Sequence, residues 1–244
     1  MKIGILGDIH GNLSALKTAI RLLESRGVNH FVSVGDVVGY GAAPAECIGL
    51  LRDLGASVVK GNHDAACVEE LDDSRFNQAA RQAVRWTRSV LDEEDLDWLR
   101  ELPMTLEGEG FQVAHGTPFR PEEYNYFLNL GDAPPSLDCM TQPVAFVGHS
   151  HIPVSVVRLE QCPKRLAYTP DFQVDLSDAS QALVNVGSVG QPRDEDPRLA
   201  AGFYDTESRQ LEILRADYDI ERESTRIRAA GLPALLADRL HLGV

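Results

Sequence analysis

Five stretches of the chain share one pattern: a short apolar run, rich in Val, Ile and Phe, that stops abruptly at Gly, Asp, Asn or His. They are KIGILGDIHGN (2–12), HFVSVGD (30–36), SVVKGNHD (57–64), FQVAHG (111–116) and VAFVGHSH (144–151). None alternates cleanly between apolar and polar positions, which suits strands covered on both faces. Helical patterns separate the first three. Residues 13–26 place Leu13, Leu16, Ile20 and Leu23 at helical spacing, with Asn12 as N-cap and Gly27 as the stop. Residues 44–54 begin with Pro44 and end before Gly55, again helix punctuation. A β-α-β-α-β start implies a mainly parallel sheet with right-handed crossovers. Ligands bind such sheets beyond the carboxyl ends of the strands, so the five polar endings are expected to gather at one place.

The rest of the chain is less regular. Residues 65–103 read as a charged helical insertion, and 117–142 as a lid-like excursion carrying Tyr124, Tyr126, Phe127, Pro134 and Pro135. After residue 152 come short runs that read as strands (VSVVRL, QALVNVGSV, GFYD, LEILRADYD), then a helical tail over about 220–244, split by Gly231-Leu232-Pro233. No stretch is long or polar enough to act as a linker, so one α/β domain over 1–244 is expected. The apolar stripe of the tail could cover a sheet edge or meet another subunit, which leaves the oligomeric state open; packing within the chain is the expectation.

Composition narrows the classes. The 43% hydrophobic content is ordinary for a globular domain, and no segment approaches the roughly 20 apolar residues of a membrane helix. The N-terminus reads as a buried strand rather than a signal peptide, and a cytoplasmic location is expected. Cys47, Cys67, Cys139 and Cys162 form no CxxC pair and read as free, buried or semi-buried thiols. A net charge of −14 disfavours binding to long nucleic acid, which needs a basic face. It is compatible with a small anionic substrate, because divalent cations dominate the field inside a cleft.

Asp8 and His10 stand two apart at a strand end, where their side chains can share a direction. Asp36 ends the second strand, Asn62 the third, His115 the fourth, and His149 with His151 the fifth. Carboxylates, an amide oxygen and imidazoles suit divalent transition ions, and this set is large enough for two ions about 3.5–4 Å apart. Each motif alone reads more readily as a turn or a cap; turn chemistry does not demand histidine at so many strand ends. His30 and His241 lack the pattern and read as surface or packing residues. Gly7, Gly35, Gly61 and Gly148 precede cage residues, where either a close approach to the ions or an ordinary turn would call for them.

GDIHGN, GDVVGYG, GNHD, the AHG histidine and GHSH resemble, in order and spacing, the signature blocks of calcineurin-like metallophosphoesterases. VNVGSVGQPRD (184–194) resembles the segment that closes the sheet in the small bacterial and archaeal phosphodiesterase branch. The resemblance implies a four-layer α/β/β/α sandwich of two mixed sheets. It implies that Asp8, His10 and His151 bind one metal, that Asn62, His115 and His149 bind the other, and that Asp36 bridges them. His63 becomes a non-ligand that contacts phosphate and protonates the leaving oxygen after attack by a metal-bound hydroxide, and Asp64 would orient His63 by hydrogen bonding. The metals would be Mn, Fe, Zn, Ni or Co, with availability deciding.

The continuation GDVVGYG lacks the acidic residue and arginine of the phosphoprotein-phosphatase branch. It resembles the small phosphodiesterases and the relatives named for diadenosine tetraphosphate hydrolysis. A phosphodiester or small nucleotide-type phosphoester is the expected substrate. A phosphomonoesterase, a dinucleoside polyphosphate hydrolase and a weakly catalytic metal-binding scaffold are the alternatives. Arg193 and Arg120 are candidate phosphate contacts, although Arg193 could equally pair with Asp194 or Glu195. Tyr40, Tyr124, Tyr126 and Phe127 are candidates for an aromatic wall.

Overall fold

A computed structural model describes residues 1–244. The opening follows the sequence pattern closely: β1 (Lys2–Leu6), α1 (Leu13–Ser25), β2 (His30–Ser33), α2 (Pro44–Asp53) and β3 (Ser57–Val58). The Asn12 side chain accepts the Ala15 N–H at 3.0 Å, which satisfies an otherwise unpaired amide at the start of α1. Gly27 ends that helix with φ +81°, a conformation open to glycine at little cost.

The insertion resolves into α3 (Asn62–Cys67), α4 (Gln78–Val90) and α5 (Glu93–Glu101). GNHD is therefore not the end of a strand: β3 stops at Val58, and Asn62, His63 and Asp64 form the first turn of α3. Gly61 lacks a Cβ and tolerates the tight entry. Next come β4 (Thr105–Gly108), β5 (Phe111–Ala114), α6 (Ala133–Cys139), β6 (Val144–Val147) and β7 (Val154–Leu159). The two short strands β8 (Leu166–Thr169) and β9 (Gln173–Asp175) lead to β10 (Ala179–Asn185), β11 (Leu199–Asp205) and β12 (Gln210–Ala216), and α7 (Ile220–Ala229) and α8 (Ala234–Asp238) complete the regular elements.

The strands form two six-stranded sheets, β3-β2-β1-β11-β12-β9 and β4-β5-β6-β10-β7-β8. Both are mixed: β1 and β2 run parallel while β1 and β11 run antiparallel, and β6 is parallel to β10 while β7 is antiparallel to it. Ile3, Ile5, Val32 and Val34 of the first sheet meet Val113, Phe146 and Val184 of the second in an apolar layer between them. Helices α1 and α2 cover the outer face of the first sheet, and α6 covers that of the second. This is the α/β/β/α sandwich expected from the sequence. Each inner strand buries both faces, which is why the first runs show no alternation.

The tail also behaves as expected. Ile227, Leu232, Leu236 and Leu240 pack against Ala80 and Ala83 of α4 and against Tyr40. No helix is long and apolar enough to cross a membrane. Cys47 and Cys67 are buried, whereas Cys139 and Cys162 are exposed rather than semi-buried, and all four thiols are free. His30 and His241 lie at the surface.

Candidate metal centre

The carboxyl ends of β1, β2, β5 and β6 bring residues from both sheets to one buried cluster. Asp8, His10, Asp36 and His151 place ligand atoms within 4.8 Å of one another, and Asp36, His115 and His149 do the same. The two groups share Asp36. Its Oδ2 lies 3.5 Å from His10 Nε2 and 3.4 Å from His115 Nε2, while its Oδ1 accepts the His63 N–H at 2.8 Å. Asp8 Oδ1 is 3.4 Å from His151 Nε2, and both Asp8 oxygens face the His149 N–H at 3.1 Å. Asn62 Oδ1 joins at 3.0 Å from His115 Nε2. All seven residues expected to line the cage from the sequence are thus brought together.

The backbone bends sharply to do this. Asp8, His10, Asp36, His149 and His151 all have φ between +47° and +68°, as does Tyr40 at +55°. The left-handed conformation costs a non-glycine residue about 1–2 kcal/mol, and such strain gathers at functional sites. Neighbouring glycines are part of the arrangement. A Cβ at Gly61 would overlap the Asp36 carboxylate, and one at Gly39 would collide with the His63 ring. The segment 184–194 wraps the same spot. The Ser188 hydroxyl donates to Asp8 O at 2.8 Å, and the Asn12 amide donates to Gly190 O at 2.9 Å.

Three histidines face a backbone carbonyl with Nδ1: His10 with Val38 at 3.0 Å, His115 with Val34 at 2.8 Å, and His151 with Gln191 at 2.6 Å. A carbonyl accepts only, so each Nδ1 carries the proton and each Nε2 is left as a lone pair when the ring is neutral. His10 Nε2 and His151 Nε2 then confront each other at 3.2 Å. His115 Nε2 meets His149 Nδ1 at 3.1 Å, a contact that a proton on either ring turns into a hydrogen bond; the pair of His10 and His151 has no such proton. Two buried lone pairs at such a distance repel unless a cation or a proton lies beside them. The donor set therefore fits divalent ions, one per cluster, with Asp36 shared.

The charge state agrees. Burial pulls His10 and His151 well below the usual imidazole value, and pulls His149 down to about 3. Burial opposes the charge of His115 too, but Asp36 outweighs it and raises that ring to about 9. Asp36 stays well below the ordinary carboxylate value, where its histidine neighbours overcome desolvation. Asp8 is pushed up to about 7, mainly by burial. Without metal, a proton on His115 stands where a cation would.

Beside the cluster opens a cavity of about 340 Å³, lined by Asp36, Asn62, His149 and His151 on the cage side and by His63, Tyr40 and Arg193 next to them. His63 is buried, and its Nδ1, against Gly39, has no hydrogen-bond partner. The ring stacks on Phe76 with centroids 4.8 Å apart and meets Tyr40 at 4.4 Å. Asp64 does not orient this ring. Its carboxylate accepts the Val38 N–H at 3.1 Å and the Gly61 N–H at 2.9 Å, so it ties the loop after β2 to the start of α3. At i+1 on a helix, two side chains point in different directions, which accounts for the difference from expectation.

Other candidates separate in the same way. Arg193 faces the cavity and pairs with neither Asp194 nor Glu195; it reaches Gln191 Oε1 at 3.0 Å and Tyr40 Oη at 3.4 Å. Asp194 is taken by Arg215 instead. Arg120 is absent from the cavity wall: its guanidinium meets Glu123 at 3.0 Å and lies over Phe119. Tyr124 and Tyr126 do line the cavity, and Tyr126 stacks on His149 at 4.0 Å. Phe127 does not join that wall. It is fully buried with Ala133, Leu137 and Val147 under α6, because the next residue in an extended stretch points the opposite way. Leu71, Arg75, Phe76 and Asn77, which no motif singles out, add to the cavity wall from the short segment between α3 and α4.

Comparison with known proteins agrees with this geometry. The model of the calcineurin-like phosphoesterase superfamily domain matches residues 1–209. A metallophosphoesterase of Sphaerobacter thermophilus is 34% identical and superposes with a TM-score of 0.89, covering 100% of this chain and 99% of that one. An uncharacterized protein of Methanocaldococcus jannaschii is 35% identical over 99% of this chain and 98% of its own length. A symmetrical bis(5'-nucleosyl)-tetraphosphatase of Vibrio vulnificus is 31% identical over 46% of this chain and 42% of that protein. The chain therefore belongs to the calcineurin-like phosphoesterase superfamily.

Proposed function

We propose that the chain is a dinuclear-metal-dependent phosphoesterase that hydrolyses a phosphodiester or a small nucleotide-type phosphoester. Asp8, His10 and His151 hold one ion, Asn62, His115 and His149 hold the other, and Asp36 is shared. The observation that carries this reading is the pair of facing His10 and His151 Nε2 lone pairs at 3.2 Å, set in one of two ligand groups that share Asp36. Divalent ions in such a site neutralise phosphoryl oxygens and lower the pKa of water toward about 7.

The chain's own residues complete the chemistry. Arg193 borders the cage with no carboxylate partner and is placed to hold a phosphoryl oxygen. His63 has no protein partner for its side chain and lines the cavity beside Asp36, which suits it to donate a proton to the leaving oxygen. Burial holds the free ring down at about 4, and the negative charge of a neighbouring phosphate favours its protonated form. Asp64 acts at one remove, by fixing the loop that carries Val38 and with it His10. The partial similarity to the tetraphosphatase supports a nucleotide-type substrate.

The test is His63→Ala assayed on bis-p-nitrophenyl phosphate with Mn²⁺. Turnover is expected to fall about 10²–10⁴-fold, the usual worth of a general acid, with the metal content of the wild type retained. Loss of metal in that variant would make His63 a ligand and overturn the assignment. Wild-type protein that holds metal yet hydrolyses neither this ester nor p-nitrophenyl phosphate would instead be a binding scaffold.

A further inference from the structure

Arginine is mostly neutralised in this acidic chain. Arg26, Arg52, Arg85, Arg88 and Arg100, among others, each sit on a carboxylate. The cavity holds two exceptions, Arg193 and Arg75, and neither forms an ion pair although acidic residues stand close in sequence to both. The reason is visible at each. Asp194 is committed to Arg215. Beside Arg75, the Asp72 carboxylate accepts the Ser74 N–H at 2.9 Å, and Asp73 takes Arg85 at 2.7 Å. The other carboxylate on the outer wall, Glu123, is satisfied by Arg120 and Asn125, each at 3.0 Å. The local acids are thus spent elsewhere, and two arginines without a carboxylate partner line one cavity.

A row of rings runs from Arg193 to the segment that carries Arg75. The Arg193 guanidinium lies 5.7 Å from the Tyr40 ring, Tyr40 is 4.4 Å from His63, and His63 stacks on Phe76 at 4.8 Å and 17°. Arg75 is the next residue along from Phe76. Arg193 is the cage-side member: its backbone N–H donates to the His151 carbonyl at 3.3 Å, and its guanidinium reaches Tyr40 Oη at 3.4 Å, on the ring that packs 4.5 Å from His10. A phosphoryl group at the cage therefore meets Arg193, and whatever extends past His63 along the Phe76 ring arrives at Arg75. A proton donor at His63 marks that direction as the leaving group's.

We infer that the substrate's leaving group carries a second phosphate, held by Arg75 across the Phe76 ring from the reacting phosphoryl group. The inference rests on the phosphoesterase reading above and names its substrate class. Water adds to phosphorus, the phosphorus–oxygen ester bond breaks, and the leaving oxygen takes a proton, so the products are a phosphate and an alcohol that still bears its own phosphate. An arginine suits this end of the site because its planar, permanently charged fork matches phosphate geometry.

The probes are adenosine 3′,5′-bisphosphate and adenosine 3′-monophosphate, which differ only in the second phosphate. Binding to the metal-free protein is measured by calorimetry, and kcat/KM with Mn²⁺ by phosphate release. The bisphosphate is expected to bind at least tenfold more tightly and to be turned over with at least tenfold higher kcat/KM. Arg75→Glu is expected to erase both preferences. Arg75 is exposed on a short turn, and Arg75→Ala, which adds no repulsion, is expected to lower the preference with no change in melting temperature. Equal binding of the two probes by the wild type, or a preference that survives Arg75→Glu, overturns the proposal. Hydrolysis of bis-p-nitrophenyl phosphate separates the two readings. If that ester is cleaved but the bisphosphate is not preferred, the second-phosphate site alone is wrong; if metal is bound and nothing is cleaved, the phosphoesterase reading falls with it.

Discussion

Replacing Asp64 by alanine tests whether this carboxylate is a structural tie or a partner of His63. Its side chain is fully buried, and its two oxygens accept the N–H groups of Val38 and Gly61 at 3.1 Å and 2.9 Å. Asp64→Ala strands both donors, and a stranded buried donor costs about 1–3 kcal/mol. The gross loss is then about 2–6 kcal/mol. Some is returned, because burial already pushes the Asp64 pKa up to about 7 and an ionised carboxylate is held there against desolvation. A net loss of about 2–4 kcal/mol is expected. For a chain of this size 1 kcal/mol moves the melting temperature by about 2–4 °C, so thermal unfolding of the metal-free variant should fall by about 4–16 °C. Asp64→Asn keeps one acceptor and should lose about half as much. Metal content should fall as well, because the Val38 carbonyl that fixes His10 sits on the loosened loop. A variant that melts with the wild type, keeps its metal and shows only an altered pH profile would refute this and restore the His63 role.

Two further outcomes follow from the same geometry. Asp8, raised by burial to about 7, and His115, which Asp36 raises to about 9 against the effect of burial, both carry protons near neutral pH that metal must displace. Metal binding should therefore strengthen from pH 6 to pH 9 and release protons at pH 6.5; calorimetry in two buffers of different ionisation enthalpy that detects no release would contradict it. Gly61→Ala should remove metal without any backbone strain, since φ there is an ordinary −87° and the new methyl lands on the Asp36 carboxylate. Such overpacking costs about 1–3 kcal/mol, and full metal content by elemental analysis would contradict the close approach.

The cluster was legible in the sequence because each candidate ligand sits at or just past an element end, and an apolar run ending in Asp, Asn or His is a local signal. Asn12 was legible for the same reason, as a cap next to the helix it caps. The left-handed backbone at Asp8, His10, Asp36, His149 and His151 was not, since nothing in those side chains announces a positive φ. Asp64 was misjudged because its partners, Val38 and Gly61, lie in the loop after β2 and at the N-cap of α3 rather than beside it along the side-chain direction. Phe127 shows a related limit. In an irregular segment with three aromatics within four positions, no periodicity says which one turns inward. The segment 71–77 was read as part of a charged helix, yet its break between α3 and α4 is what carries Arg75 and Phe76 to the cavity. The short strands β8 and β9 escaped notice because they are sheet edges of four and three residues, too short to show a periodicity.

The central claim is a shared-carboxylate site for two ions, and the direct measurement is metal stoichiometry. Protein purified and re-equilibrated with Mn²⁺ should contain about two ions per chain by elemental analysis, and Asp36→Asn should lose both the ions and the hydrolysis of bis-p-nitrophenyl phosphate. A wild type that saturates at a single ion, or an Asp36→Asn variant that keeps the full complement, would contradict it.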